Sequence, residues 1–212
     1  MNTLYLLGGP PRTAKTTIMS GIASKLEITY IAADAVEHGM RNVLTGKPHQ
    51  MLRDINLNGS AVFSGFNRQA GNRKLFSNRG SESELTLQTI IGMLDYYRRN
   101  NESIGFEGAV FTPLLVKNLK VPGFVIKAAF VGFTNLAHAD QIIRYAKSNP
   151  HDWVNDWLKI DGEEEVIAWV AKQAKKCADL KSEAKKLGYP FFDISTMQFE
   201  QYVETAQRHF LT

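Results

Sequence analysis

Gly8-Gly9-Pro10-Pro11-Arg12-Thr13-Ala14-Lys15-Thr16-Thr17 directly follows the apolar run Leu4-Tyr5-Leu6-Leu7. This segment differs at one position from the phosphate-binding pattern of Gly, four residues, and Gly-Lys-Ser/Thr, because Ala14 stands where the second glycine is expected. The pattern predicts a buried strand, a tight turn whose backbone N–H groups point inward, and a helix whose positive dipole end faces the turn. We call residues 8–17 the P-loop and expect an anion to bind there.

The residues after the P-loop favour this interpretation, because Thr17 to Lys25 continues with helical spacing. A glycine-rich turn between a strand and a helix is common, and the string alone can arise by chance. In its context the motif predicts that Lys15 reaches the terminal phosphates of a nucleoside triphosphate and that the Thr16 hydroxyl binds Mg²⁺. The predicted ATP-binding residues are Gly9, Pro10, Pro11, Arg12, Thr13, Ala14, Lys15, Thr16 and Thr17.

Ala14 is the departure from the pattern. A Cβ at this position is tolerable only where the local φ is negative or the loop opens slightly, so we expect one of these two conditions. Weaker nucleotide binding is one consequence that this residue predicts.

Length and composition indicate one compact domain over residues 1–212. A chain of 212 residues with 44% hydrophobic content can bury a full core, and no run of 18 apolar residues suggests a membrane span. The single cysteine, Cys177, cannot form a disulfide framework, and its helical surroundings favour a packing residue over a nucleophile. With the P-loop beginning by residue 9 we expect no leader, and we predict a cytoplasmic protein.

The charge of the chain is modestly basic, with a net charge of +4 and an isoelectric point near 9.1. This excess suits phosphorylated ligands as well as nucleic acid. Its densest part is a glycine-interrupted stretch with Arg68, Arg73, Lys74 and Arg79. The stretch is either a loop that holds a phosphorylated or acidic substrate or a solvated charged loop, and the sequence leaves both open.

Candidate strands and helices alternate along the chain. The helices have recognisable boundaries: a Ser81–Glu84 capping box before residues 85–99, Thr112-Pro113 before residues 114–119, and Asp161 with Glu164 before a helix that stops at Gly188. This alternation predicts a three-layer α/β/α fold with a parallel sheet and a ligand site at the carboxyl ends of its strands. The five candidate strands are Leu4–Leu7, Ile28–Ala33, Ser103–Phe106 with Ala109–Phe111, Val125–Val131 and Phe191–Ile194.

Carboxylates stand where three of these strands end. Asp34 and Glu107 follow the second and third strands, and Asp193 interrupts the last. Beside a P-loop, such a carboxylate can hold Mg²⁺ or accept a proton from an attacking hydroxyl. A helix cap or a strand-end hydrogen bond is the alternative role for each.

These residues together resemble the P-loop small-molecule kinases of the nucleoside-monophosphate-kinase-like superfamily, in the style of 2-phosphoglycerate kinase, chloramphenicol phosphotransferase and zeta toxin. The P-loop is similar to their Gly-Gly-x-x-x-x-Gly-Lys-Ser/Thr loops. Asp34, with Arg41 on the following helix, resembles their Asp after the second strand. Phe106-Glu107-Gly108-Ala109 with Thr112-Pro113 resembles their Glu-Gly turn after the third strand.

The resemblance implies a role for each of these positions. Asp34 is expected to act as the base or orienter for the acceptor hydroxyl, and Glu107 to lie near the metal. A mobile lid, here from Phe133 to about Asp161, is expected to deliver an arginine, for which Arg144 is the candidate. An exposed helical arginine paired with Asp140 is the alternative. The acceptor-binding region is expected at residues 36–80, with Arg41 and Arg68 as substrate contacts.

The function implied is an ATP- and Mg²⁺-dependent phosphotransferase, a kinase acting on a hydroxyl or phosphate of a small molecule. Two other readings stay open. A nucleic-acid end kinase would use the same P-loop and track a phosphate backbone with the basic stretch at residues 68–79. A nucleotide-binding module without transferase activity would explain Ala14 as the mark of a decayed or regulatory site.

Overall fold

The computed structural model describes residues 2–43, 81–149 and 153–212 of the chain. Strands and helices alternate through most of these ranges, as the sequence predicted. In chain order the elements are β1 (Asn2–Gly8), α1 (Lys15–Leu26), β2 (Thr29–Ala32), α2 (Ala33–Val43), α3 (Ser81–Arg99), β3 (Ile104–Gly108), α4 (Pro113–Asn118), β4 (Phe124–Gly132), α5 (Ala137–Ser148), α6 (Trp153–Lys186), β5 (Phe191–Asp193), a 3₁₀ turn (Ile194–Thr196) and α7 (Phe199–Leu211).

The sheet has five parallel strands in the order β2-β3-β1-β4-β5, which confirms the predicted parallel sheet. β1 lies in the centre, with β3 on one side and β4 on the other. The strands that follow β1 in the chain lie on both sides of it, with β2 and β3 on one side and β4 and β5 on the other. The P-loop therefore leaves the sheet at a topological switch point. In open parallel sheets this is the usual position of a ligand site.

The core lies on both faces of the sheet, which gives the three layers that the sequence predicted. Side chains of β1 alternate between the faces: Leu4 and Leu6 pack with α3 and α4, whereas Tyr5 and Leu7 pack with α1, α5, α7 and residues 166–177 of α6. All four are buried, as expected for a central parallel strand that is covered on both sides.

Several predicted strand boundaries differ from the observed ones, most of them by one residue. Residues 109–111 do not extend β3 but form a turn, in which the Phe111 N–H donates to the Gly108 carbonyl at 3.3 Å. Phe111 is nevertheless buried, so its apolar run reflects burial in the core rather than a strand. The last strand ends at Asp193, and Ile194 begins the 3₁₀ turn.

The helix boundaries agree in part with the prediction. α3 is described from Ser81 onward, and the side chains of the predicted Ser81–Glu84 capping box lie outside the described residues. The helix predicted to begin near Asp161 is present as the second segment of α6 (Trp153–Lys186), which is interrupted by a kink at Gly162, where φ is 80° and ψ is 168°. Thr112 does cap α4, since its Oγ1 accepts from the Leu115 N–H at 3.4 Å.

The C-terminal stop of α6 is confirmed as a Schellman motif. Gly188 has a φ of 79°, and its N–H donates to the Lys185 carbonyl at 3.2 Å. The Tyr189 N–H donates to the Ala184 carbonyl at 2.9 Å, which completes the motif. Cys177 is buried in the core on the α1 side of the sheet, so its predicted packing role is confirmed.

None of the helices in the described ranges is long and apolar enough to cross a membrane. The predicted acceptor region at residues 36–80 lies outside the described residues from position 44 onward.

Candidate active site

The P-loop joins the central strand β1 to α1. Gly9 has a φ of 151°, and a Cβ on it would collide with the Val131 carbonyl oxygen of β4, so only glycine fits there. Further along, Arg12 and Ala14 adopt left-handed backbone conformations with φ values of 68° and 55°. These two residues turn the chain back toward the start of α1.

Ala14 corrects one expectation. We expected a negative φ or an opened loop, but Ala14 sits in the left-handed region at φ 55° and ψ 26° and forms the N-cap of α1. A Cβ in this region costs roughly 1 kcal/mol or more relative to glycine. The loop therefore keeps the backbone shape that the glycine pattern requires, with a strained residue in the glycine position.

This strain predicts that Ala14→Gly stabilises the fold. We expect the free energy of unfolding to rise by about 0.5–1 kcal/mol, because relief of the left-handed strain outweighs the added freedom of the unfolded chain. Thermal unfolding of the purified protein measures the effect. Ala178→Gly, at an exposed position inside α6, is the matched control and should destabilise by about 1 kcal/mol. Equal destabilisation by both substitutions would contradict the argument.

Lys15 lies in the first turn of α1 and is 7% exposed. Its ammonium donates to the Pro10 carbonyl at 2.7 Å, and the Thr13 hydroxyl donates to the same carbonyl at 2.9 Å. Burial lowers the pKa of Lys15, while the carboxylates of Glu107 and Asp34 act in the opposite direction. The predicted phosphate-binding lysine is thus held across the P-loop, within electrostatic range of both predicted carboxylates.

We expected Glu107 to follow β3, but it lies inside this strand. The residue is 4% exposed. The sheet register pairs it with Leu7 of β1 on one side and Ala32 of β2 on the other. This places its carboxylate at the foot of the P-loop, where its Oε1 accepts a hydrogen bond from the Thr16 hydroxyl at 2.9 Å. Burial raises the pKa of Glu107, although Lys15 and the Thr16 hydrogen bond oppose that shift.

Asp34 lies in the first turn of α2, two residues beyond the end of β2, and its side chain is exposed. Its charge acts on both Lys15 and Glu107: it supports the charged form of Lys15 and raises the pKa of Glu107. The structure therefore brings together Asp34, Glu107 and Lys15, which come from three separate segments of the chain.

The oxygen atoms of Thr16 and Glu107 fit a magnesium site. Mg²⁺ prefers oxygen ligands and is usually held by one or two carboxylates together with substrate phosphates and water, rather than by a cage of protein groups. The described residues contain no group of three or more His, Cys, Asp or Glu side chains that could hold a metal ion. A hydroxyl and a buried carboxylate 2.9 Å apart are the donors that a shared protein–phosphate site needs.

The arginines predicted for the site from outside the P-loop are not brought to it by any described contact. Arg144 is exposed on α5, and its Nε donates to the backbone carbonyl of Asp140 at 3.2 Å. Arg41 falls on α2 seven residues after Asp34, but its side chain is outside the described residues, as is all of Arg68. Their predicted roles stay predictions.

Asp193 is instead held by hydrogen bonds of a structural kind. It ends β5, and β1 and β4 separate it from β3 and Glu107. Its carboxylate accepts from the backbone and hydroxyl of both Thr134 and Ser195 and lies 3.3 Å from the Lys181 ammonium. Burial favours a higher pKa for Asp193, but these hydrogen bonds outweigh it and lower the pKa. We assign Asp193 the strand-end role.

Two residues that touch the P-loop have no signal in the sequence. The His138 Nε2 lies 2.8 Å from the Arg12 carbonyl oxygen, and the Tyr202 hydroxyl donates to the Thr13 carbonyl at 2.7 Å. They belong to α5 and α7, more than a hundred positions away along the chain. In the sequence both appear as ordinary positions of amphipathic helices.

Comparison with solved structures places this geometry in a known architecture. Shikimate kinase from Bacteroides thetaiotaomicron is similar over 99% of both chains, with a TM-score of 0.51 and 15% sequence identity. An uncharacterized protein from Eubacterium ventriosum ATCC 27560 is similar over 99% of this chain and 98% of its own, with a TM-score of 0.51 and 10% identity. The chain has a P-loop kinase-like fold. No family model and no curated protein sequence matches it.

Proposed function

We propose that this protein is an ATP- and Mg²⁺-dependent phosphotransferase that acts on a hydroxyl or phosphate of a small molecule. The observation that carries the proposal is the contact between Thr16 and Glu107 beside the buried ammonium of Lys15. It joins a hydroxyl and a carboxylate suited to Mg²⁺ to a cation suited to phosphate, at the carboxyl end of the central strand. The P-loop kinase-like fold supports the same reaction class.

Each residue would have a distinct task. The P-loop amides and Lys15 bind the β- and γ-phosphates, with Lys15 leaving the Pro10 carbonyl for the phosphate oxygens. Thr16 and Glu107 would hold Mg²⁺, which neutralises charge on the phosphates when bound. Asp34 faces the acceptor from the start of α2.

The transfer step moves one phosphoryl group. The acceptor oxygen forms a bond to the γ-phosphorus as the bond between that phosphorus and the β–γ bridging oxygen breaks, so ADP leaves. The Asp34 carboxylate takes the proton of an acceptor hydroxyl. Arg144, on α5 within the predicted lid of residues 133 to about 161, would stabilise the transferred group.

A direct experiment tests the proposal. Calorimetric titration of the protein with ATP and Mg²⁺ is combined with a screen of small hydroxyl and phosphate acceptors, using ATP labelled in the γ-phosphate. Binding with label transfer to an acceptor is the expected result. Binding with no transfer to any acceptor would favour the nucleotide-binding module, and the absence of nucleotide binding would exclude both.

Glu107→Gln tests the proposed metal site. The amide can still accept from Thr16 but carries no charge, so we expect the Mg²⁺ concentration for half-maximal activity to rise at least about tenfold. Since burial raises the pKa of Glu107, protons should compete with Mg²⁺ for its carboxylate even at pH values above those at which an ordinary glutamate titrates. Apparent Mg²⁺ affinity should therefore fall as the pH is lowered through that window, and only in the parent protein.

Magnesium titrations at several pH values measure both effects. Glu183→Gln, at a partly exposed position on α6, is the control and should retain the parent titration. An unchanged Mg²⁺ requirement in Glu107→Gln would show that Glu107 does not hold the metal.

A further inference from the structure

Two buried side chains hold consecutive carbonyl groups of the P-loop from the side of α5 and α7. The His138 Nε2 lies 2.8 Å from the Arg12 carbonyl oxygen, and the Tyr202 hydroxyl donates to the Thr13 carbonyl oxygen at 2.7 Å. A carbonyl oxygen can only accept, so His138 donates through Nε2–H. The P-loop is therefore fixed by two hydrogen bonds to elements that follow β4 and β5 along the chain.

These bonds set the direction of two amides. In a trans peptide the C=O and N–H groups point in opposite directions, and the described residues contain no cis peptide bond. Holding the Arg12 carbonyl toward α5 therefore directs the Thr13 N–H away from α5. Holding the Thr13 carbonyl toward α7 directs the Ala14 N–H away from α7 in the same manner. These are N–H groups of the kind that a phosphate-binding loop offers to its ligand.

The same peptides lie where the backbone is strained. Arg12 and Ala14, both left-handed at φ values of 68° and 55°, flank Thr13 on either side. Such conformations persist in residues other than glycine only where the surrounding structure enforces them. Two hydrogen bonds to the carbonyls of Arg12 and Thr13 supply that enforcement.

Both anchors are enclosed by the surrounding core. Tyr202 is fully buried, and His138 is 3% exposed. The His138 ring packs on Phe133 with a centroid distance of 4.4 Å, and its Nδ1 lies 2.8 Å from the Gln141 Oε1. Burial lowers the pKa of His138, although its hydrogen bonds to Gln141 and Arg12 oppose that shift.

We propose that His138 and Tyr202 are positioning residues that hold the Thr13 and Ala14 amides in the phosphate-binding orientation, in a loop whose expected glycine is alanine. This role deepens the proposed function and rests on it, because it assumes that a triphosphate is the ligand. The hydrogen bonds from the Tyr202 hydroxyl and the His138 imidazole compensate for the strain at Ala14. Their contribution to ATP affinity therefore depends on which residue occupies position 14.

Tyr202→Phe is the sharpest test, because it removes one hydroxyl and leaves the ring. Calorimetry with ATP and Mg²⁺ should give about tenfold weaker binding, which corresponds to the loss of one hydrogen bond. Tyr5→Phe is the matched control: Tyr5 is buried in the same core and packs edge-on against Phe210. It should leave the affinity unchanged, which separates loop positioning from a general loss of core stability.

His138 gives an independent second test. His138→Phe removes the donor and keeps a ring against Phe133, whereas His138→Gln keeps a side-chain N–H donor. We expect weaker ATP binding in the first variant and at least partial recovery in the second. If Tyr202→Phe does not fold, this pair carries the test, and equal affinities in the two variants would overturn the role of His138.

A double-mutant cycle distinguishes positioning from structural support. In an Ala14→Gly background the loop is no longer strained at position 14, so the loss of affinity caused by Tyr202→Phe should shrink from about tenfold to about threefold or less. Full additivity of Ala14→Gly and Tyr202→Phe, or an undiminished affinity in Tyr202→Phe alone, would overturn the proposal.

The inference can fail separately from the proposed function. Hydrogen exchange of the Thr13 and Ala14 amides reports the loop without any ligand, and it should be faster in Tyr202→Phe than in Tyr5→Phe. If the parent protein binds neither ATP nor inorganic tripolyphosphate, the proposed function fails, while exchange still decides whether the anchors hold the loop. Equal exchange in the two variants would refute the anchoring.

Discussion

Replacing Lys15 by alanine is expected to lower phosphoryl transfer by about 10³-fold or more while the protein stays folded. The Lys15 ammonium is the buried cation of the P-loop, and it donates to the Pro10 carbonyl of the same loop. Removing it takes away the charge that stabilises the transferring phosphates. It also removes a cation whose burial is unfavourable, as the lowered pKa of Lys15 indicates, so the fold should tolerate the change.

Turnover with the parent protein's acceptor and thermal unfolding together measure this prediction. Lys25→Ala is the matched control on the same helix, because Lys25 is exposed and its ammonium donates to Gln207 at 3.0 Å, away from the P-loop. The control should retain parent turnover. A folded Lys15→Ala variant with undiminished turnover would remove Lys15 from the reaction.

Asp34→Asn is expected to abolish transfer and leave ATP binding nearly intact. Asparagine has almost the same shape but cannot accept the proton of the acceptor hydroxyl. Asp34 is exposed at the start of α2 and acts on Lys15 and Glu107 only through its charge, so its loss should disturb the nucleotide site little. Calorimetric ATP binding and a transfer assay on the same preparation provide the two readouts.

The pattern of losses decides the role of Asp34. Loss of transfer alone identifies a group that acts on the acceptor, whereas equal loss of binding and transfer would identify a metal ligand or a structural residue. Asp179→Asn, at an exposed position on α6, controls for the removal of one surface carboxylate and should change neither readout.

The sequence predicted the architecture because its signals are local. Three kinds of signal each depend only on neighbouring residues: apolar runs of strand length, the Thr112-Pro113 cap and the stop at Gly188. All three features are present in the fold. The prediction failed where one sequence signal, an apolar run, can reflect either a strand or burial in the core. Residues 109–111 are apolar because Phe111 enters the core, not because β3 continues.

The candidate site was predictable in its chemistry but not in its contacts. Lys15, Thr16 and Glu107 were identified from the motif and from the strand ends, yet the hydrogen bond between Thr16 and Glu107 joins positions 91 residues apart. Only the parallel register of β1 with β3, which pairs Leu7 with Glu107, places them together. No pattern within the chain reports that pairing.

By itself, the sequence determined that a strand, a tight turn and a helix follow one another at the start of the chain, since φ/ψ preferences and hydrophobic periodicity act over a few residues. Tertiary structure alone decided that Ala14 takes a left-handed conformation and that His138 and Tyr202 hold the adjoining carbonyls. The reason is physical: a strained turn is maintained by hydrogen bonds from side chains that only packing of distant helices brings within reach.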